Sequence, residues 1–466
     1  MSAELAFQDA AELLPELGEY VAIPSVSRSA TNETMHEAAR WVAAQLAFAD
    51  ARVVETDGFP VVRADWLGAP GAPTILVYGH YDVQPTGSRE EWTSDPFTLV
   101  IDGDVARGRG VTDDKGPVFI VLKLAQAFLA QEGGLPLNVK FLIEGEEEIG
   151  SPNLPAYVRA HADELAADLV ISADGAQWRP GEPSISIASK GLVGLDIVVD
   201  GAAGDLHSGR YGGTVANPVH ALATILNSLH SADGRVAVAD FYDGVAELGA
   251  ERRAEIAAVP LDDDRFRDDL GAPELFGEAG FTTLERLWER PTLEITGVTS
   301  GGKYSVIPHT ATAHISCRLV GSQDPDRVLA AIERHVEATR IEGVTVRVVV
   351  DDARVPAYRI DRDHPAIGAA AHALRTVYPD QDVLLAVIAG TLPATTLFEE
   401  ALGAKTLFFS FSTSDENLHA PNEYLRIARI GEGMRAWEAL WRTLAAGEHA
   451  LEPNPRSSRT KQELVR

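Results

Sequence analysis

The chain of 466 residues carries 40 basic and 69 acidic side chains, a formal net charge of −29. A field of that sign repels phosphate backbones and excludes nucleic acid as an expected partner. The single cysteine, Cys317, excludes an internal disulfide, and no apolar stretch approaches the roughly 20 residues that cross a bilayer. The first 20 residues, with Glu4, Asp9, Glu12, Glu16 and Glu19, lack the basic-then-apolar layout of a signal peptide. These features predict a cytoplasmic protein of two or three domains, away from membranes.

Leu13, Leu17 and Val21 recur at helical spacing, Pro24 breaks the pattern, and Met35, Ala39, Val42 and Leu46 resume it. Next come a strand at Thr74–Tyr78, a helix at Val118–Leu129, and strands at Val139–Ile143 and Leu169–Ile171. Near-continuous apolar strands alternating with helices predict a mostly parallel sheet covered on both faces. Near Ser189 the pattern changes. Leu195, Ile197 and Val199 alternate, strands at Thr310–Leu319 and Val344–Val350 do likewise, and helices fill Pro218–Leu229 and Asp326–Ala338. After Asp361 the first pattern returns, with a helix at Pro365–Val377, a strand at Lys405–Phe411 and a helix at Ile427–Leu444. The expectation is an α/β domain, residues 1–189 and 360–466, interrupted by an inserted α+β, ferredoxin-like domain over 190–359. The tail from Gly447, with Pro453, Pro455 and paired serines, is expected to fray.

Ligands of open α/β sheets bind beyond the carboxyl ends of the strands. Here the strands run into Gly79-His80-Tyr81-Asp82-Val83, into Glu144 to Ser151, into Ser172-Ala173-Asp174-Gly175, and into the loop from Asp415 to Glu423 that holds His419. Arg107 to Gly116, containing Asp113 and Asp114, precedes the helix at Val118. Each motif alone has an ordinary reading. A lone His at a strand end is a hydrogen-bonded structural residue, Glu144 to Glu148 a solvated face, Asp174-Gly175 a turn, and Asp113 or Asp114 a helix cap. Together, five loops offering imidazoles and carboxylates on one edge suit a cluster of divalent cations. Two imidazoles, at least three carboxylates and no thiolate favour zinc, manganese or cobalt over calcium. Two such ions bridged by one carboxylate could activate a water and polarise a carbonyl together.

Gly-His-Tyr-Asp-Val at 79–83, Asp-Asp-Lys-Gly at 113–116, Glu-Glu-Ile-Gly at 147–150, Asp-Leu-His-Ser-Gly at 205–209 and His-Ala-Pro-Asn-Glu at 419–423 resemble the M20 family of metallopeptidases. The likeness is to its dipeptidase branch, which includes carnosine dipeptidases, and runs in order across nearly the whole chain. It implies a two-metal hydrolase of dipeptides in which Asp113 bridges the ions, His80 and Asp174 complete one site, and Glu148 and His419 complete the other. Glu147 would be the general base and Asp82 would orient His80. Residues i and i+2 of an extended segment share a face, so Asp82 is well placed for that task. The resemblance further implies a cis Asp113–Asp114 peptide and an inserted domain that acts as lid and dimerisation unit. From that unit His207 would stabilise the oxyanion in the partner's site. Arg318 would bind the substrate's terminal carboxylate, with Asn217 as a further polar contact.

One stretch departs from the family. Where many relatives carry Arg-Glu-Gly-Gly-Ser/Thr-Ile-Pro, this chain has Ala386-Val387-Ile388-Ala389-Gly390-Thr391-Leu392-Pro393. Gly390 and Thr391 keep backbone and hydroxyl contacts available, while the charged pair is gone. That implies a more apolar pocket, or a substrate other than an ordinary dipeptide. The alternative expectation is a same-family amidohydrolase of N-acyl, N-carbamoyl or N-succinyl amino acids. The extension from Asp240 to Pro291 and the setting of Arg318 favour the dipeptidase. A non-catalytic binding protein would have lost a ligand or the base, yet all six positions are intact. Serine-hydrolase chemistry is not expected, because no Gly-x-Ser-x-Gly occurs.

Overall fold

The computed structural model describes residues 4–302, 304–339 and 341–457. Two larger sheets use β1 (Arg52–Val54), β2 (Val61–Trp66), β3 (Thr74–His80), β4 (Asn138–Glu144), β5 (Leu169–Ser172), β6 (Gly191–Asp200), β7 (Thr292–Ser300), β8 (Thr310–Leu319), β9 (Thr345–Val355) and β10 (Thr406–Phe408). The helices that concern the core are α1 (Ala10–Val21), α2 (Asn32–Gln45), α3 (Lys115–Glu132), α4 (Leu154–Ala160), α5 (Pro218–Ser228), α6 (Pro325–Ala338), α7 (Pro365–Val377), α8 (Pro393–Leu402) and α9 (Ala428–Ala446). The chain divides into two compact units. One runs to Ile187 and adds Ile360–Ala386 and the chain from Pro393; the other is Ala188–Arg359 with Val387–Leu392.

The first unit is built on a six-stranded sheet in the order β1-β2-β4-β3-β5-β10. Strands β4, β3, β5 and β10 are parallel, and β2 and β1 join antiparallel at one edge. Every residue of β3 and β4 is buried, as expected of strands covered on both faces. Leu76, Tyr78, Leu142 and Val170 share one cluster with Leu154 and Tyr157 of α4 and Leu397 and Phe398 of α8. Helix α3 is buried at every position from Lys115 to Ala125. A helix enclosed on all sides has no freedom to rotate, so the loop entering it, with Asp113, is held in register.

The inserted unit has the order β7-β8-β6-β9, all antiparallel. With α5 after β6 and α6 after β8, this is the split βαβ arrangement of a ferredoxin-like fold. Val193, Leu195, Ile197 and Val199 of β6 and Ala311, Ala313, Ile315 and Cys317 of β8 point to one face. There they pack with Ala221, Leu222 and Ile225 of α5 and Val328, Leu329 and Ile332 of α6.

Two expectations need correction. The apolar run 405–411 pairs only over β10, Thr406–Phe408, and the rest continues as loop toward His419. The tail does not fray at Gly447: Asn454 and Ser457 are buried. Asn454 Nδ2 donates to the carbonyls of Ala167 at 2.9 Å and Leu402 at 2.8 Å, and Ser457 Oγ donates to Asp168. Composition favoured a loose end, but two specific amide bonds pin it. Asn454→Ala strands those two buried carbonyls and is expected to lower stability by about 2 kcal/mol, as measured by urea unfolding.

Candidate metal centre

Parallel strands β4, β3, β5 and β10 end on the same edge, and each feeds one polar loop to it. His80 is the last residue of β3. Glu147 and Glu148 lie in a one-turn 3-10 helix just after β4, Asp174 is two residues past β5, and His419 sits in the loop that follows β10. Asp113 arrives from the loop before α3, through a cis Asp113–Asp114 peptide. Gly79 makes this close approach possible: a Cβ there would lie 2.5 Å from Val118 Cγ2 and 2.6 Å from Asp114 Oδ2.

The structure brings together all five expected ligands and Glu147. Potential donor atoms of His80, Glu147 and Asp174 lie within 4.8 Å of one another, as do those of Asp113, Glu148 and His419. Asp113 joins the two trios. Its Oδ1 is 3.2 Å from His80 Nε2 and its Oδ2 is 2.8 Å from His419 Nε2. His80 is fully buried, whereas His419 is exposed and has a left-handed backbone with φ of 61°.

Asp82 contacts His80 as expected, with a difference. The nearer acceptor for His80 Nδ1 is the Asp82 backbone carbonyl at 3.0 Å, and the carboxylate lies at 3.3 Å. That carboxylate also accepts from the backbone N–H of Glu147 (3.2 Å) and Glu148 (3.1 Å), so one side chain holds parts of both trios. Neither Asp113 nor Asp114 caps α3. Asp114 is at the cap position without a side-chain cap bond, and its Oδ2 accepts from His80 N at 3.1 Å. Gln84, overlooked in the sequence, donates through Nε2 to Glu148 Oε2 at 2.7 Å. Its one signal is the i, i+2 spacing from Asp82.

The residues expected to touch substrate lie in the inserted unit. Arg318 Nη1 donates to Thr391 Oγ1 at 2.7 Å, and no described residue offers Arg318 a carboxylate. Gly390 uses its carbonyl to accept from Lys190 N at 2.9 Å. His207 is exposed, and its Nδ1 accepts from Gly209 N at 3.1 Å. The proton of the neutral ring therefore sits on Nε2, which makes that atom a donor. Asn217 is the N-cap of α5, its Oδ1 accepting from Val219 N at 2.9 Å. That side chain has a folding task which the sequence reading did not assign.

The electrostatics call for cations. Among the described residues, the only ion-pair partners of Asp113, Glu147, Glu148 and Asp174 are His80 and His419. Burial, then the negative charge of Asp113, pushes Glu148 up to about 8 and Asp174 up to about 6. Burial with the charges of Asp174, Glu148 and Asp113 raises Glu147 well above the carboxylate range. Asp113 stays well below it: burial opposes this, but hydrogen bonds from His419 and His80 prevail. Its bond to Asp113 raises His419 to about 9. Four carboxylates facing two imidazoles, with oxygen and nitrogen donors in two trios, fit a pair of divalent ions.

The sequence profile of peptidase family M20/M25/M40 matches residues 76–443. Human Beta-Ala-His dipeptidase is 29% identical over 395 residues, 83% of this chain and 78% of its own. The Cys-Gly metallodipeptidase of Schizosaccharomyces pombe is 27% identical over 449 residues, 91% and 94%. Among solved structures, an M20 family metallo-carboxypeptidase from Sulfolobus solfataricus superposes with a TM-score of 0.84 at 31% identity, covering 93% of this chain and 99% of that one. Human carnosine dipeptidase 1 gives 0.76 at 28% identity, covering 94% and 97%.

Groups whose folded pKa is raised stabilise the fold below their unfolded values, and lose that contribution as pH rises through the folded ones. For Asp174 and Glu148 the window is about pH 4 to 8, from usual carboxylate values up to about 6 and about 8. Chelator-stripped protein is therefore expected to melt at progressively lower temperature as pH rises from 5 to 8. Added divalent metal should flatten that slope in calorimetry across the same buffers.

Proposed function

The chain belongs to peptidase family M20/M25/M40, and we propose that it is a two-metal dipeptidase working through the centre just described. The observation that carries this reading is Asp113, which faces an imidazole with each carboxylate oxygen, at 3.2 Å for His80 and 2.8 Å for His419. That is the disposition a carboxylate shared by two ions requires. His80 and Asp174 would hold one ion and Glu148 and His419 the other, with zinc favoured by the donor set and manganese or cobalt as substitutes. Bound together, two such ions supply Lewis acidity toward a carbonyl and lower the pKa of water.

The remaining tasks fall to the chain itself. Glu147, a half-buried member of the first trio next in sequence to Glu148 of the second and without an ion-pair partner among the described residues, takes the proton of the attacking water and returns it to the leaving amine. Asp82 keeps His80 oriented and the Glu147–Glu148 turn in place. His207 presents its Nε2–H to the oxyanion of a second subunit, so the working form is a homodimer. Arg318, fixed by Thr391 and with donors to spare, receives the terminal carboxylate of the peptide. Gly390 and Thr391 line the same segment, and Asn217 supplies a further polar contact to substrate. The relatives named for dipeptide hydrolysis support this substrate class over N-acyl amino acids. No helix among the described residues is long and apolar enough to cross a membrane. The lone, buried Cys317 supports a reducing, cytoplasmic setting.

Glu147→Ala is expected to retain two ions per chain by elemental analysis while turnover of a dipeptide falls by about 10²–10⁴; wild-type turnover in that variant sinks the base assignment. His207→Ala should cut kcat and leave metal content alone, and mixing it with Glu147→Ala protein should restore activity through hybrid dimers. A panel of dipeptides beside N-acetyl, N-carbamoyl and N-succinyl amino acids, with zinc or manganese and a chelator control, decides the substrate. Cleavage confined to the acylated amino acids overturns the dipeptidase reading.

A further inference from the structure

The two trios are mounted differently. His80 is the last residue of β3, and Glu147 and Asp174 follow within three residues of the ends of β4 and β5. The second trio takes Glu148 from the same turn as Glu147, but its other two members come from separate loops, the one carrying Asp113 and the one carrying His419, 306 residues apart in the chain. Neither loop belongs to a strand, and His419 is exposed. Something other than the sheet must set the distance between them.

Two carboxylates in the His419 loop, Glu416 and Glu423, are fully buried, and both close on the Asp113 loop. Glu423 Oε2 accepts from Arg109 Nη1 at 2.7 Å and Gly110 N at 2.9 Å, and its Oε1 accepts from Thr112 N at 2.9 Å and Asp113 N at 3.2 Å. Glu416 Oε2 accepts from Thr112 Oγ1 at 2.6 Å and Thr413 N at 2.9 Å, and its Oε1 accepts from Arg426 N and Nη1 at 3.1 and 3.3 Å. The backbone adds Gly108 N to Glu423 O at 3.1 Å, and Ser412 Oγ donates to Thr112 O. The main-chain N–H groups of Gly108, Gly110 and Thr112, and that of Asp113 itself, are thereby fixed from the segment that carries His419.

The choice of a carboxylate has a physical reason. Each oxygen of Glu423 meets two donors, and only an acceptor-only group satisfies all four. A glutamine would turn one pair of acceptor sites into donors and leave main-chain N–H groups facing an amide NH₂. Burying two carboxylates is costly unless every lone pair is used and a cation stands by; Arg109 and Arg426 meet that condition.

We propose that Glu423, assisted by Glu416, is the positioning residue of the second ion site, holding Asp113 and His419 at ligating distance. The proposal rests on the two-ion reading above. It makes the affinity of that ion depend, more strongly than its neighbour's, on side chains that touch no ligand atom, because His419 would serve that ion alone whereas Asp113 would serve both.

The test uses full-length protein stripped by chelator and titrated with Co²⁺ alone, followed by visible absorption and calorimetry, with circular dichroism as the check on folding. Wild type should bind two ions per chain. Glu423→Gln should bind one ion within about threefold of wild type and the other about 10–100-fold more weakly, with excess Co²⁺ recovering turnover. A variant that binds both ions as tightly as wild type, or weakens both equally, overturns the proposal. Should Glu423→Gln fail to fold, Thr112→Val decides. It removes only the hydroxyl bond to Glu416, and a second ion weakened about threefold supports the clasp, while unchanged affinity refutes it. Wild type that binds fewer than two ions would defeat the two-ion reading and this proposal with it.

Discussion

The structure is organised around an unfavourable collection of like charges. Asp113, Glu147, Glu148 and Asp174 converge on one sheet edge with two imidazoles as their only ionic partners among the described residues. Such a cluster is tolerable when a cation of higher charge is its regular occupant, and costly otherwise. Much of the local architecture keeps these groups from moving apart. The wholly buried strands β3 and β4 cannot slip in register without exposing their cores. The enclosed helix α3 cannot turn, and Gly79 lets its first turn approach β3 more closely than any side chain would permit.

Much of this was legible in the chain because the signals were local and repeated. The seven-residue buried strands are read from near-continuous apolar runs, and β6 and β8 from alternation. Most of the candidate ligand set follows from where those strands end; Asp113, from the loop before α3, does not. Less visible were features that depend on partners far away. Strand β1, one exposed and two half-buried residues, has no periodicity to detect and exists because β2 offers an edge. Asn454 looked like part of a loose tail because nothing nearby announces the carbonyls of Ala167 and Leu402.

The same limit explains the site. His80 and Asp82 declare their relation through spacing, but the carboxylate of Asp82 also serves two backbone N–H groups 65 and 66 residues away. Asp114 looked like a helix cap and instead binds the N–H of His80. Glu416 and Glu423 are ordinary acidic residues of an acidic protein until the fold shows them buried against the loop of Asp113. Identity of the candidate ligands is largely a matter of composition in the loops at one sheet edge. Their fixation is a matter of tertiary hydrogen bonds, and these leave almost no trace in sequence.

The distance along the polypeptide between Asp113 and His419 also bears on how the molecule matures. During synthesis the strands β3, β4 and β5, and the whole inserted unit, leave the ribosome before His419 exists, so a nascent chain can offer at most a partial set of ligands. Closing a segment of 306 residues adds only a slowly growing entropic term, but it comes last. An ion captured at the second trio would then contribute its free energy at the end of folding, and incomplete chains are born without a full candidate centre.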